Sequence, residues 1–216
     1  MARRDRVLLV HGLWMTGLVM GLMQRRIEAH GFVVECYSYP TVRLTLQQNA
    51  ERLQSYCASL GADTLHLVGH SMGGLVVLHA LPLMSMPCLG RVVVAGTPYA
   101  GSFSARRLER LPGGRRLLGV CIRQWLDEPR AAALDRYEIG VIAGNGGVGL
   151  GRFIAPDLPA PNDGVVSVGE TPVPGMRDHI VLDVSHTAML ASRAVARQIC
   201  AFLDRGEFSR AEPAAA

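Results

Sequence analysis

Short apolar runs alternate along the chain with segments of helical periodicity. Six dense runs, most of them rich in β-branched residues, predict strands because nearly every position in them is apolar. They lie at residues 7–10, 33–39, 65–68, 92–95, 139–143 and 180–184. Strands of this kind are typical of parallel sheets that are covered by helices on both faces.

Four segments between or after these runs have the spacing of amphipathic helices. They lie at about 18–29, 46–59, 73–83 and 187–204. In the last of them Leu190, Ala194, Ile199 and Leu203 share an apolar face, with arginine on the other side. The alternation of strand and helix predicts an α/β fold with a mostly parallel, doubly wound sheet.

Residues 99–136 interrupt the alternation, since they form a longer connection than a plain helical crossover. Two apolar-faced helices are expected there, broken at Pro112-Gly113-Gly114, either as a partial cover over a site or as ordinary helices on the sheet flank. Residues 145–174 are rich in glycine and proline and predict a long loop. We expect one domain over residues 1–205 and a frayed tail over 206–216.

Composition narrows the possible chemistry. The 216 residues include 22 basic and 18 acidic side chains, a formal net charge of +4, and every basic residue is arginine. The lack of lysine excludes the phosphate-binding lysine of a P-loop and any Schiff-base or pyridoxal chemistry. Nucleic-acid binding is not expected, because the arginines are dispersed and no known binding module is present.

The cysteines and the first residues bear on location. Five cysteines, an odd number without C-x-x-C spacing, predict small buried hydrophobes in a reducing compartment. An arginine-rich start and an apolar run over 7–23 imitate a signal peptide, but His11, Gly12 and Trp14 interrupt the run. No stretch reaches 18 apolar residues, so we expect a cytoplasmic protein without stable membrane insertion.

The sharpest chemical signal is Gly69-His70-Ser71-Met72-Gly73-Gly74, which follows a predicted strand and precedes a predicted helix. In this context G-x-S-x-G forms a tight strand-to-helix turn that lifts the serine hydroxyl above the sheet edge. Larger side chains at Gly69 and Gly73 would collide there. The helix that begins after Ser71 would direct free N–H groups toward a developing oxyanion.

These residues resemble the α/β-hydrolase family, and within it the lipase and esterase branch. The likeness extends over about residues 7–203 and includes Val10-His11-Gly12-Leu13-Trp14, which is similar to the family's oxyanion loop. It implies a compact, mostly parallel α/β-hydrolase sheet with a short insertion over 99–136. It also implies backbone N–H groups of Leu13 and Met72 as oxyanion donors, and no cofactor.

A serine nucleophile needs a histidine base and an orienting acid, which follow it in this fold in the order acid, then histidine. Of the seven histidines only His179 and His186 come late enough in the chain. His186 follows the last strand, on the side of the elbow, whereas His179 begins that strand. We therefore choose His186 as the base, and interpret the other histidines as core or surface residues.

The acid is predicted to be Asp163. The segment Asn162-Asp163-Gly164-Val165-Val166 resembles the segment that carries the acid in related lipases. Asparagine and glycine beside the carboxylate suit a tight turn that points it inward. A solvated turn is the alternative, with Asp157 as the second choice for the acid.

Two departures from the family are visible. The chain begins a few residues before the first buried strand, which favours six strands where the family has two more. Secreted bacterial lipases have a calcium-binding aspartate two residues after the catalytic histidine. Ala188 occupies that position here, so we expect no metal site.

The sequence thus predicts a serine hydrolase that cleaves small-molecule acyl esters through Ser71, Asp163 and His186. Trp14, beside Leu13, is expected to line the mouth of the site and bind an apolar acyl portion. A thioesterase or acyltransferase with the same triad, or an inactive hydrolase-like binding protein, are the alternatives. The arginines over 106–116 are either a solvated helix face or a contact for an anionic head group.

Overall fold

The sheet is described here from a computed structural model, which describes residues 5–127, 134–147 and 154–210. Its six strands are β1 Arg6–Val10, β2 Val33–Tyr37, β3 Leu65–His70, β4 Leu89–Ala95, β5 Ile139–Gly144 and β6 Asp178–Leu182. They run parallel in the order β2-β1-β3-β4-β5-β6. The predicted fold class is confirmed, and each predicted run overlaps one strand.

The helices that the structure describes lie between and after the strands. They are α1 Gly21–Glu28, α2 Leu46–Ser59, α3 Met72–Ala80, α4 Phe103–Glu109, α5 Gly114–Asp127 and α6 Arg193–Arg205. Three predicted helices each divide into an α-helix and a short 3-10 turn, at Gly17–Met20, Leu81–Leu83 and Ala188–Ala191.

None of the helices in the described part of the chain is long and apolar enough to cross a membrane.

Two hydrophobic cores cover the two faces of the sheet. One includes Leu53 of α2 and Val76 of α3, and the other includes Ile27 of α1 and Ile199 of α6. The strands contribute to both, since successive side chains point to opposite faces. The sheet is thereby covered on both faces by packed side chains.

The insertion predicted over 99–136 contains α4 and α5, and its residues 128–133 lie outside the described residues. Several of its apolar residues, including Trp125, join the core that contains α2 and α3, whereas Leu111 and Leu117 are exposed. At one end Ser104 Oγ donates to the carbonyl of Val165 at 2.6 Å. At the other end, Gln124 Oε1 accepts from the N–H of Leu46, 2.6 Å away, at the start of α2.

The tail differs from the expectation over residues 206–210. Gly206 ends α6 in the left-handed conformation, and the side chain of Phe208 is buried beside Phe202. Arg210 forms a salt bridge with Asp178 at 2.5 Å. An apolar anchor and an ion pair hold this stretch, and sequence position alone could not reveal them. Residues 211–216 lie outside the described part of the chain.

Candidate active site

The carboxyl ends of the strands form one edge, and the predicted site residues lie there. The loop after β1 carries Leu13 and Trp14, the turn after β3 carries Ser71, and the loop after β6 carries His186. Asp163 lies on the long connection between β5 and β6. In parallel sheets this edge is where loops from several strands converge.

Ser71 occupies a strained turn between β3 and α3. Its backbone has φ 55° and ψ −124°, a region that L-residues rarely adopt and that costs about 1–3 kcal/mol. Backbone hydrogen bonds hold the turn, since the N–H of Ser71 donates to the carbonyl of Ala95 at 2.9 Å. Thr97 Oγ1 donates to the carbonyl of Ser71 at 3.0 Å. The strained conformation is therefore held by Ala95, at the end of β4, and by Thr97, which follows that strand.

Glycine is required beside the serine because backbone segments meet there. A Cβ atom at Gly69 would lie 2.5 Å from Cα of Gly74, and one at Gly73 would lie 2.2 Å from the carbonyl oxygen of Val10. Both distances are shorter than any tolerated contact between these atoms. The close approach places α3 directly on the ends of β1 and β3, with Ser71 at their junction.

Three side chains form a continuous hydrogen-bonded chain. His186 Nε2 lies 3.0 Å from Ser71 Oγ, and His186 Nδ1 lies 2.7 Å from Asp163 Oδ2. A carboxylate only accepts, so Nδ1 carries the proton of the neutral ring. Nε2 therefore presents its lone pair to the hydroxyl proton of Ser71, which is the arrangement that a general base requires.

Asp163 is 1% exposed, and its charge is compensated by backbone donors. Its Oδ1 accepts from the N–H groups of Val165 at 2.9 Å and Val166 at 2.7 Å. The N–H of His186 donates to the carbonyl of Asp163 at 2.9 Å, which ties the two loops together. The turn therefore fixes both the position of the carboxylate and the backbone of the histidine that it contacts.

Backbone N–H groups near Ser71 are available for an anion. Met72 is the first residue of α3, where helical N–H groups have no intrahelical partner. Gly12 lies against the serine, because a Cβ there would be 3.2 Å from Ser71 Cβ. Neither Leu13 nor Met72 donates from its N–H to another group within the described residues. Two backbone N–H groups near Ser71 are therefore without an acceptor among the described residues.

His11, which was interpreted as a core or surface residue, contacts this site through the backbone. Its Nδ1 donates to the carbonyl of Gly12 at 2.9 Å, and its ring stacks on Tyr39 with centroids 4.6 Å apart. A trans peptide is planar, so a fixed Gly12 carbonyl also fixes the N–H of Leu13 on the opposite side. Burial lowers the pKa of His11, which favours the neutral ring.

His70 also contacts the site, and the sequence did not predict this contact. Its Nε2 donates to the carbonyl of His186 at 3.1 Å, and the two rings lie 4.8 Å apart. Burial, followed by the neighbouring His186, lowers the pKa of His70 to about 3. Its Nδ1 has no hydrogen-bond partner among the described residues. A histidine inside the elbow motif was the available signal, but its partner is 116 residues away.

The competing candidates lie elsewhere. Asp157 is on the surface, where it pairs with Arg107 at 3.7 Å. His179 is on β6, with its Nε2 3.1 Å from Thr171 Oγ1. Neither makes a contact with Ser71 in the described part of the structure.

Trp14 lies beside the site and is 57% exposed, while its backbone has φ 60°. Its Nε1 donates to the carbonyl of Leu117 on α5 at 2.9 Å. By contrast, the side chain of Met72 is buried in the core and does not line the mouth. Only the backbone of Met72 is therefore placed to act at the site.

Cysteine thiols and clusters of metal ligands are the other groups to compare with the serine. Burial raises the pKa of the thiols of Cys36 and Cys121 to about 11 and that of Cys57 to about 12, so these cysteines are protonated at neutral pH. Among residues 5–127, 134–147 and 154–210, no three His, Cys, Asp or Glu side chains are grouped to hold a metal ion.

Comparison with solved structures places the fold among known hydrolases. The mature lipase BlEst2 of Bacillus licheniformis has a TM-score of 0.72 and 18% identity, with 94% of this chain and 92% of that chain covered. The metagenomic carboxyl esterase MGS0156 has a TM-score of 0.63 and 22% identity, with coverages of 85% and 64%. The RedJ thioesterase of the prodiginine pathway in Streptomyces coelicolor has a TM-score of 0.62 and 14% identity, with coverages of 95% and 86%.

These identities are low, so the likeness to solved structures concerns the fold alone. No curated protein matches the sequence. The sequence profile of the alpha/beta hydrolase family, however, matches residues 7–214, nearly the whole chain. This chain therefore belongs to the alpha/beta hydrolase family.

Proposed function

We propose that the protein is a serine hydrolase that cleaves carboxylic esters of acyl groups through an acyl-enzyme intermediate. The observation that carries the proposal is the hydrogen-bonded chain from Ser71 Oγ through His186 to Asp163, with distances of 3.0 and 2.7 Å. All three groups lie on loops at one edge of the sheet. Such a constellation is recognised by its geometry and roles rather than by sequence position.

In the first half of the reaction, Ser71 Oγ attacks the ester carbonyl carbon while its proton passes to His186 Nε2. Negative charge moves to the carbonyl oxygen, where the N–H groups of Leu13 and Met72 stabilise it. Asp163 stabilises the imidazolium and keeps its proton on Nδ1. When the tetrahedral intermediate collapses, the bond to the alkoxy group breaks and His186 protonates the departing alcohol.

The second half repeats these roles with water. His186 Nε2 takes a proton from a water molecule, whose oxygen attacks the acyl carbon. The bond to Ser71 Oγ then breaks, the serine regains its proton from His186, and the carboxylic acid leaves. The residues described here perform both halves, and the exposed indole of Trp14 is placed to contact the apolar part of the acyl group.

A thioesterase is the second candidate, because the same attack on an acyl carbon releases a thiol as readily as an alcohol. The fold it shares with the RedJ thioesterase supports keeping this alternative. The two candidates differ in the leaving group, so p-nitrophenyl esters from short to long chains should be compared with acyl thioesters of the same chains. Faster turnover of the esters at every chain length supports the ester hydrolase.

Ser71→Ala tests the nucleophile directly. We expect a loss of turnover of about 10³-fold or more with the fold retained, because the reacting oxygen is removed from an otherwise intact turn. A fluorophosphonate probe should label the wild-type protein and not the variant. Ser55→Ala, on the exposed face of α2, is the matched control and should keep full activity and labelling. Labelling of Ser71→Ala at another residue would show that the nucleophile is misassigned.

A further inference from the structure

The large exposed apolar side chains are concentrated on two neighbouring segments. Among the described residues, ten large hydrophobic side chains are exposed, and seven of them lie within residues 14–22 or 111–120. They are Trp14, Leu18, Val19, Leu22, Leu111, Leu117 and Val120. Soluble proteins usually expose such side chains singly, and a cluster marks an interaction surface. We call this cluster the apolar rim.

The two segments of the apolar rim are joined in the structure. Trp14 Nε1 donates to the carbonyl of Leu117 at 2.9 Å, so the loop after β1 contacts α5. The N–H of Val120 donates to the carbonyl of Val42, on a loop that also contacts Trp14 through Thr41. Leu18, on the 3-10 turn after Trp14, is 90% exposed. These bonds place Trp14, Leu117 and Val120 together beside the loop that carries Leu13, and residues 18–22 follow Trp14 within a few positions.

The net positive charge of the protein is concentrated beside this rim. The stretch that contains α4 and α5, residues 103–127, has six arginines and two acidic residues, a balance of +4. The whole chain has 22 basic and 18 acidic residues, also +4, so the remainder carries sixteen of each sign. Arg106, Arg107, Arg110, Arg115 and Arg116 are all exposed.

Among the described residues, two of these five arginines have acidic partners. Arg115 lies 3.6 Å from Glu109, and Arg107 lies 3.7 Å from Asp157. Both contacts are long and on the surface, where ion pairs contribute little. The segment therefore presents a positive surface next to the apolar rim, and its guanidinium groups suit the bidentate recognition of phosphate oxygens.

From these observations we propose that the apolar rim and the α4–α5 arginines together form a docking surface for an anionic lipid surface. The side chains of Leu18, Trp14 and Leu117 enter the interfacial region, and the arginines contact lipid phosphates. Tryptophan and arginine combine an apolar body with a polar group, and leucine adds apolar surface. Residues 103–127 carry a net charge of +4, which equals that of the whole chain. This positive surface favours an anionic lipid surface as the partner, because a second copy of the chain would present the same positive charge and be repelled.

The test measures sedimentation of the full chain with vesicles, in the Ser71→Ala background so that no lipid is hydrolysed. Vesicles of phosphatidylcholine are compared with vesicles that also contain phosphatidylglycerol. We expect binding to the anionic vesicles at low ionic strength, weakening as salt is added because exposed charges are screened. Absence of binding to anionic vesicles, or equal binding to both kinds, would overturn the proposal. Ester hydrolysis is measured separately, so a failure of docking is distinguishable from a failure of the proposed function.

Paired variants assign the binding to this surface. Arg115→Gln/Arg116→Gln should weaken partitioning onto anionic vesicles on the order of tenfold or more. The matched control is Arg197→Gln/Arg205→Gln, which removes two exposed arginines from α6 on the other face of the sheet and should change little. An equal loss in both double variants would show that net charge alone attracts the lipid, and would overturn the assigned surface.

Apolar variants test the other half of the surface. Leu18→Ser should weaken binding several-fold, whereas Leu83→Ser, which removes a similar exposed leucine after α3, should not. Thermal unfolding of each variant establishes that the fold is retained. The salt dependence of vesicle binding is measured on the chain without these substitutions, so it tests the proposal even if a variant fails to fold. If the wild-type chain self-associates and Leu18→Ser abolishes that without any vesicle binding, the rim is a contact between copies and the proposal fails.

Discussion

The centre of the candidate site and its rim depart from the usual distribution of side chains in opposite directions. At the centre, Asp163, His186 and His70 are buried polar groups, each tied by hydrogen bonds to another loop. At the rim, Trp14 and Leu18 are large apolar groups left in solvent. Both departures cost free energy of folding, so neither is explained by stability alone.

The difference also concerns how each region is held. Side chains at the centre are fixed by contacts between residues far apart in sequence, such as the pairing of Asp163 with His186. At the rim, the backbone is fixed while the side chains remain free for a partner, as in Trp14, whose indole N–H is bonded but whose ring is exposed. We expect changes at the centre to reduce the rate, and changes at the rim to alter selectivity and binding.

The largest expected effect in this comparison comes from Asp163→Asn. The asparagine Oδ1 can still accept from Val165 and Val166, so the turn should keep its shape. Its amide donates to His186 Nδ1, which moves the ring proton to Nε2 and removes the base facing Ser71. We expect kcat to fall on the order of 10⁴-fold, because the same change of histidine tautomer lowers kcat by about that factor in a serine protease.

The control for that experiment is Asp157→Asn, which removes a surface carboxylate paired with Arg107. It should leave turnover nearly unchanged. A reversal, with Asp157→Asn inactive and Asp163→Asn active, would transfer the acid role to Asp157.

A smaller effect is expected at His70, which we predict to be a positioning residue for His186. His70→Leu removes the donor to the His186 carbonyl, and we expect kcat to fall about tenfold with KM unchanged. His70→Gln retains an amide donor and should recover part of the loss. If both variants lose only thermal stability and keep the wild-type kcat, the contact has no role in positioning.

His70 also predicts how stability depends on pH. Its pKa is lowered from 6.5 to about 3, so between these values the unfolded chain binds the proton and the folded chain does not. The free energy of unfolding should therefore fall as pH decreases from about 6.5 toward 3. His11 and His179, whose pKa values are also lowered by burial, act in the same direction. Urea titrations across this range should give a shallower dependence for His70→Gln than for the wild-type chain.

Two tryptophans allow a matched test of rim against core. Trp125 is buried on α5, and Trp125→Ala should lower the free energy of unfolding by about 3–5 kcal/mol. Trp14→Ala removes an exposed ring and should instead change the preference among ester chain lengths by a few-fold, with little change in melting temperature. If Trp125→Ala alters chain-length preference as strongly as Trp14→Ala, the helices of residues 99–136 act as a cover over the site.

Removal of metal ions is expected to leave ester turnover unchanged. Ala188 stands where related lipases have a calcium ligand, and the described residues contain no cluster suited to a metal. Ester turnover after treatment with EDTA should equal that of the untreated protein. Loss of activity that added calcium restores would contradict this prediction.

The sequence predicted the fold because its signals are local and agree with one another. Six buried runs separated by helical segments specify a parallel sheet, and the strands were found at those runs. The ends of helices were less well defined, since short 3-10 turns at Leu81–Leu83 and Ala188–Ala191 have the same apolar spacing as the helices beside them. The sequence did not predict that residues 206–210 are held in place, because their ion pair joins Arg210 to Asp178, which is distant in sequence.

For the candidate site, the sequence by itself determined the strand-to-helix turn that carries the serine. Gly69, Ser71 and Gly73 are adjacent in sequence, and the steric demands of a strand-to-helix turn act over those few residues. The selection of His186 and Asp163 drew on their order in the chain and on family resemblance. Their meeting with Ser71 depends on loops from strands on both sides of β4.

Only the tertiary structure decided the rest. The stacking of His11 on Tyr39 depends on how β1 and β2 are arranged in the sheet, and the contact of His70 with His186 depends on β3 and β6. The apolar rim likewise exists because folding leaves Leu18 exposed while Leu118, of the same residue type, is buried. Burial depends on what packs against a side chain from elsewhere in the chain, and no local pattern of residues contains that information.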